Sequence, residues 1–175
     1  MAPRTKTRVG VAAVNTAMGW LGVAWSERGL AEVTLPQPTM AVALGRLPSG
    51  GDPTLPPPPG LDVIILADKL YRYFCGEAVE FDEPIDPAIG TPFQKRVWTI
   101  CRAIPRGDTR TYGQLAHEAG SPRAARAVGQ AMARNPWPPI VPCHRVLGSD
   151  QHLTGYGGGL EMKRQLLVME GVMLT

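Results

Sequence analysis

At 175 residues, with 44% hydrophobic and 19% charged side chains, the chain has the length and composition of a globular protein with a real core. No run of 18 apolar residues occurs, so no membrane-spanning helix is expected, and the basic start Met1 to Arg8 lacks the apolar stretch of a secretory signal. The net charge of +3 is unevenly spread: residues 1–90 hold 7 Lys and Arg against 10 Asp and Glu, whereas residues 91–175 hold 11 against 5, so a polyanionic partner is expected on the second half.

The first residues read as a short disordered tail. Three short apolar runs then follow, 8–15, 20–26 and 30–35, separated by Met18-Gly19 and Glu27-Arg28-Gly29 turns; they predict a three-stranded antiparallel sheet. A short helix is expected over 40–47. Residues 48–60 are rich in proline and glycine, with four consecutive prolines at 56–59, and predict a surface loop. Leu61, Ile64, Ile65, Leu66, Leu70, Tyr71 and Phe74 fall at helical spacing, predicting a helix over 61–74 that packs across the sheet and ends at Gly76. A last strand is expected over 79–81, and the proline-bearing segment after it reads as a connector. The organisation expected is an N-terminal α/β domain over 1–82, a linker over 83–91 and a second domain over 92–175.

From Thr91 the pattern turns helical. Thr91-Pro92 makes an N-cap and first-turn pair, and Phe93, Val97, Ile100, Cys101 and Ile104 form an apolar stripe ended by Pro105 and Gly107. A second helix is expected over 114–119. Ser121, as N-cap, and Pro122 open a third over 123–134, and two short helices around a glycine-bearing turn read as helix-turn-helix. On the third helix Arg123, Arg126, Gln130 and Arg134 share one side, where the neighbours are small enough for a close approach to a phosphate backbone.

The chemistry concentrates in Ile140-Val141-Pro142-Cys143-His144-Arg145-Val146. Only a thiolate is a good nucleophile, and a cysteine at neutral pH is mostly thiol, so a nearby base must take the proton. Adjacent side chains on a strand point to opposite faces, which places the pair at a strand end or tight turn with a water between thiol and ring. Cys75, Cys101 and Cys143 are an odd set without Cys-x-x-Cys spacing. They argue for a reducing compartment and against disulfides or a cysteine-based zinc site; Cys75 and Cys101 read as packed small residues.

Asn135-Pro136 before the cysteine, Pro142-Cys143-His144-Arg145 around it, and Thr154-Gly155-Tyr156-Gly157-Gly158-Gly159 after it resemble, in order and spacing, the O6-alkylguanine-DNA alkyltransferases. The resemblance runs from about Thr91 to Glu170. It implies a two-part α/β fold: a small N-terminal antiparallel sheet with a helix, RNase H-like, and a mostly helical, winged-helix-like helix-turn-helix domain carrying the active site. It implies repair of duplex DNA by direct reversal: the base is flipped out and its alkyl group, from O6-alkylguanine and also O4-alkylthymine, passes irreversibly to the protein's own cysteine.

Residue by residue, the resemblance makes Cys143 the nucleophile, His144 the base acting through a water, and Glu170 the group that orients the imidazole. Asn135 holds the turn, and Tyr112 gives a proton to the guanine and helps rotate the 3′ phosphate. The backbone at Cys143 and Val146, with Met132, Tyr156 and Gly157, would form the guanine pocket, with Lys163 near it. Arg126 would be the intercalating finger of a minor-groove helix whose groove-facing positions are Ala125, Ala127 and Gly129, with Thr111 and Arg123 also against DNA. Neither cofactor nor metal is expected. The protein would act as a monomer in solution, with cooperativity on DNA left open, in a bacterial-type cytoplasm at the nucleoid. Gly157 stands where some relatives carry serine, which suggests a roomier pocket; Trp137 reads as packing between domains. Two other readings remain: a Cys-His hydrolase or thiol-redox enzyme, and a protein that binds alkylated DNA without catalysis.

Overall fold

The computed structural model describes residues 8–47 and 51–174, which divide into two compact units, Met1–Ala88 and Ile89–Thr175. Of the expected N-terminal tail only Arg8 lies among the described residues, and positions 48–50 of the expected loop lie outside them.

In the first unit β1 (Gly10–Thr16), β2 (Gly19–Ser26) and β3 (Gly29–Val33) form an antiparallel meander in the order β1-β2-β3. Gly10 pairs with Trp25 and Thr16 with Gly19, and a bulge falls between Ala24 and Trp25. Gly10 has no room for a side chain, because a Cβ there would meet the Trp25 indole at 2.1 Å. Helices α1 (Met40–Gly45) and α2 (Val63–Phe74) pack on this sheet. Thr39 caps α1, and Asp62 caps α2 by accepting from the Ile64 and Ile65 amides. The helix ends in a Schellman turn: Gly76, at φ +93°, donates to the Tyr73 carbonyl and Glu77 to that of Arg72.

The packed stripe of α2 differs from the expected one. Leu66, Leu70, Tyr73 and Phe74 are buried, whereas Ile64, Ile65 and Tyr71 are exposed, Ile64 at 83%. Apolar residues occupy more of the helix circumference than one sheet covers, so spacing alone cannot tell which of them face inward. Cys75 follows the last turn of α2 and is exposed, not packed. Residues 79–81 form no strand; the pairing occurs further on, as a parallel bridge between Leu30 and Ile85. There Leu30 donates to the Pro84 carbonyl and Asp86 donates back to Leu30. Gly29, at φ +151°, leaves room for this return, since a Cβ would lie 2.8 Å from the Pro84 oxygen. Buried Asp86 accepts from the Ser26 hydroxyl at 2.6 Å, and buried Glu83 pairs with Lys69 at 2.8 Å. Glu83 to Asp86, expected in the linker, are thus held by the first unit.

The second unit is mostly helical. α3 (Pro92–Arg102) starts with a reciprocal capping box between Thr91 and Gln94. The two-residue β4 (Arg110–Thr111) leads into α4 (Tyr112–Glu118), whose cap is a second box between Thr111 and Gln114. This helix starts two residues before the expected position. It ends in a Schellman turn at Gly120, φ +74°. α5 (Ala125–Ala133) follows, with Ala124 rather than Ser121 at its N-cap and no side-chain cap bond. Ser121 belongs to the turn instead: its amide goes to Ala116 and its carbonyl to the Ala124 amide. A single 3-10 turn, Cys143–Arg145, then leads into β5 (Val146–Leu147), which pairs in parallel with β4. The chain closes with α6 (Gly159–Met169). Trp98 of α3 donates its indole N–H to the Ala131 carbonyl at 2.9 Å and meets the buried Trp137 edge-on at 5.3 Å. Trp137 therefore packs inside the second unit.

Candidate active site

The thiol is placed by the loop before it. Asn135, just past α5, turns its side chain inward: the amide nitrogen donates to the Val141 carbonyl at 2.7 Å and to Cys143 Sγ at 3.2 Å, while its oxygen accepts from the Trp137 amide at 3.0 Å. One short side chain thus closes the loop and marks the nucleophile's position. The 3-10 turn also resolves the problem of neighbouring Cys and His side chains, since here they need not alternate as on a strand.

Behind the sulfur lies a buried polar row. His144 Nε2 is 2.9 Å from Glu170 Oε1, and both side chains are wholly buried. Glu170, the residue that ends α6, also accepts two bonds from Arg145, from Nε at 2.7 Å and from Nη2 at 2.8 Å. Arg145 reaches on to the Ile104 carbonyl after α3. A fork of this kind neutralises the carboxylate and fixes its plane. Burial raises the cost of charge at Glu170, but bonds from His144 and Arg145 outweigh it and hold the carboxyl far below its usual range. Burial pushes His144 down against the pull of Glu170, so the ring is neutral, and it pushes the Cys143 thiol up against the Asn135 bond and the Lys163 charge. Neutral thiol beside neutral imidazole is the resting state of a nucleophile that ionises only with its base.

Lys163, from α6, is also fully buried. Its ammonium donates to the Val146 carbonyl at 2.7 Å and the Thr154 carbonyl at 2.8 Å, and lies 5.9 Å from the Tyr112 ring centre. Burial lowers its pKa to about 8.

In front of the sulfur is a mostly apolar pocket of about 740 Å³. It draws together nine of the residues singled out in the sequence: Thr111, Tyr112, Ala125, Arg126, Gly129, Met132, Cys143, Tyr156 and Gly157. His144, Glu170, Asn135, Val146 and Lys163 stand behind this wall. Two do not join: Ala127 is half-buried away from the pocket, and Arg123 is exposed in the turn before α5 rather than on the helix. Thr111 contributes as the α4 cap as well as a lining residue. Ser149 and Thr154 also line the pocket; Ser149 carries no motif signal, and Thr154, which opens the glycine-rich stretch, has no role implied by the sequence. The sequence reading also gave no role to Arg145, although a guanidinium next to a Cys-His pair is a cue for a carboxylate partner.

A helix-turn-helix lies beside a thiol backed by a His–Glu pair, an arrangement suited to a nucleic-acid-binding protein that reacts through a cysteine. Residues 92–172 match the family described as "6-O-methylguanine DNA methyltransferase, DNA binding domain". A methylated-DNA--protein-cysteine methyltransferase of Mycobacterium tuberculosis is 54% identical over 103 residues, 59% of this chain and 62% of that protein. The protein of the same name from Salmonella typhimurium is 50% identical over 109 residues, 62% of this chain and 64% of its own. The matched stretch spans less than two thirds of these relatives. The crystal structure of Mycobacterium tuberculosis OGT in complex with DNA matches with a TM-score of 0.72 at 40% identity, covering 92% of both chains. The O6-methylguanine-DNA methyltransferase of Pyrococcus kodakaraensis matches with a TM-score of 0.57 at 26% identity, covering 94% of this chain and 99% of that one. The chain belongs to the O6-methylguanine-DNA methyltransferase family.

Proposed function

We propose that the protein repairs duplex DNA by moving the alkyl group of O6-alkylguanine, and of O4-alkylthymine, onto Cys143 in one irreversible turnover. The observation that carries this reading is a single thiol at the wall of a pocket roomy enough for a flipped base, with a neutral imidazole and an ionised carboxylate behind it. Because Nε2 is engaged with Glu170, Nδ1 is the nitrogen that takes the thiol proton through a water. The thiolate attacks the alkyl carbon, the C–O6 bond breaks, and guanine leaves with the electron pair and takes up a proton. The thioether has no further acceptor, so the protein is consumed.

Arg126, exposed at the pocket mouth on α5, fills the stack left by the flipped nucleotide, and the small Ala125 and Gly129 let the helix approach the groove. Tyr112 lines the pocket; burial raises its pKa, so its phenol stays protonated and serves as the acid for the leaving base. Gly157 leaves its side of the pocket open to larger alkyl groups. With chromosomal DNA as its substrate, the protein would work in the cytoplasm at the nucleoid.

The test is intact-mass measurement after incubation with duplex containing O6-methylguanine. One methyl group on Cys143, and no further turnover, is the expected result, with none on Cys143→Ser, which should still bind the duplex. Sustained turnover would instead identify a hydrolase, and lesion binding without mass gain a binding-only protein.

A further inference from the structure

The segment that joins Asn135 to the nucleophile has few means of holding its own shape. Four of the seven residues between Asn135 and Cys143 are proline, so only Trp137, Ile140 and Val141 carry an amide N–H there. Trp137 uses both ends of its backbone. Its N–H donates to the Asn135 side-chain oxygen at 3.0 Å, and its carbonyl accepts from the Val141 amide at 2.8 Å. The Val141 carbonyl in turn accepts from the Asn135 side-chain nitrogen at 2.7 Å and from the Cys143 amide at 2.8 Å. That same side-chain nitrogen donates to Cys143 Sγ at 3.2 Å. The Trp137 backbone is thus the joint between the asparagine and the cysteine.

The indole of Trp137 fixes that joint from behind. It is 1% exposed and does not line the pocket. It meets Trp98 edge-on at 5.3 Å, and Trp98 is itself held on two sides. The Trp98 N–H donates to the Ala131 carbonyl at 2.9 Å, and Gly90 lies so close that a Cβ there would come within 2.3 Å of the ring. We propose that Trp137 is a positioning residue for the nucleophile: its buried indole, wedged against Trp98, keeps the Asn135 carboxamide in the orientation that donates to the Cys143 sulfur. The inference rests on the reading that Cys143 takes the alkyl group. Burial pushes the Cys143 thiol up and the Asn135 bond works against it, so a carboxamide free to turn leaves less thiolate for attack.

The experiment compares Trp137→Leu, which removes the aromatic contact, with Trp137→Phe, which keeps a smaller ring against Trp98. Single-turnover transfer from O6-methylguanine duplex at pH 7 should slow about tenfold in the leucine variant, the loss expected for one hydrogen bond to an ionised group, and less in the phenylalanine variant. Alkylation of Cys143 by iodoacetamide, read by peptide mass because Cys75 is also exposed, should have its rate profile moved to higher pH in both variants, further for leucine. In an Asn135→Ala background neither substitution should add to the loss, because the bond through which Trp137 acts is already gone.

A lowered melting temperature with an unmoved iodoacetamide profile is what packing alone would give, and it would overturn the proposal. So would losses that multiply with that of Asn135→Ala. If the leucine variant does not fold, the phenylalanine variant decides through its profile: a shift to higher pH upholds the proposal, and the wild-type position overturns it. If wild-type protein takes no methyl group from the duplex, the functional reading itself fails, and the iodoacetamide profile still decides whether Trp137 governs the sulfur.

Discussion

The two units bury charge in opposite ways. In the first, the buried carboxylates lie where the chain returns to β3: Asp86 against Ser26 and the largely exposed Arg28, Glu83 against Lys69. In the second, Glu170, His144 and Lys163 are sealed around one sulfur, with Arg145 alone partly reaching solvent. A charge near the edge can be rescued by water when its partner is lost; a charge at the centre cannot. The difference shows that the second unit holds an ionised group where stability alone would favour an apolar one.

Removing that group should have the largest effect. Glu170→Gln leaves Arg145 without its counter-charge, and should cost about 3 kcal/mol in denaturant unfolding, the usual penalty for breaking a buried pair. It also frees the His144 ring to rotate, so single-turnover transfer should fall by roughly a hundredfold or more. A variant as stable as wild type would erase the contrast between the units.

Acid should act in the same direction. His144 has a folded pKa below its ordinary 6.5, so the unfolded chain takes up that proton first, and stability should begin to fall as the pH drops through 6.5. Glu170 is depressed as well, so its contribution is intact above 4.5 and is lost progressively as the pH falls further toward its folded value. Thermal melts between pH 7.5 and 3.5 should show this two-stage decline. Glu170→Gln should lose the lower stage.

A smaller effect is expected at the perimeter of the first unit. Asp86→Ala strips the Ser26 hydroxyl and the Ala88 amide of an acceptor and should cost about 1–2 kcal/mol, with transfer by Cys143 unaltered once the protein is folded. A loss of transfer out of proportion to unfolding would blur the division of labour. Least of all, Ile64→Ser should change stability by no more than about 0.5 kcal/mol, because its side chain is exposed. A larger cost would show that the apolar face of α2 is covered in solution.

The parts of this protein that could be read from its sequence are those governed by short-range rules. The meander, the Thr91 cap, the Gly76 stop and the tight turn at Cys143-His144 follow from a few adjacent residues each. The helix α6 was not assigned, and the reason is physical. It begins among three glycines with no side-chain cap, and one of its inward positions is Lys163, which interrupts the apolar spacing that would have marked it. The buried lysine it carries disguised the element. Arg145 was missed for a related reason: its role lies in a partner 25 residues away at Glu170. The strand expected over 79–81 failed because an apolar pair near a proline-rich segment is equally at home in a coil, and the sheet edge found its partner at Ile85 instead.

The edge-on contact of Trp98 with Trp137 has a practical use. Trp98 is tied to Ala131, the residue before Met132 of the pocket wall, which places an indole one residue from the pocket that Cys143 also lines. Two of the four tryptophans therefore form an intrinsic fluorophore pair beside the reacting centre, while Trp20 and Trp25 in the sheet provide a steady background. Stopped-flow emission would follow alkylation in real time on unlabelled protein, and a phenylalanine at position 98 would silence the signal.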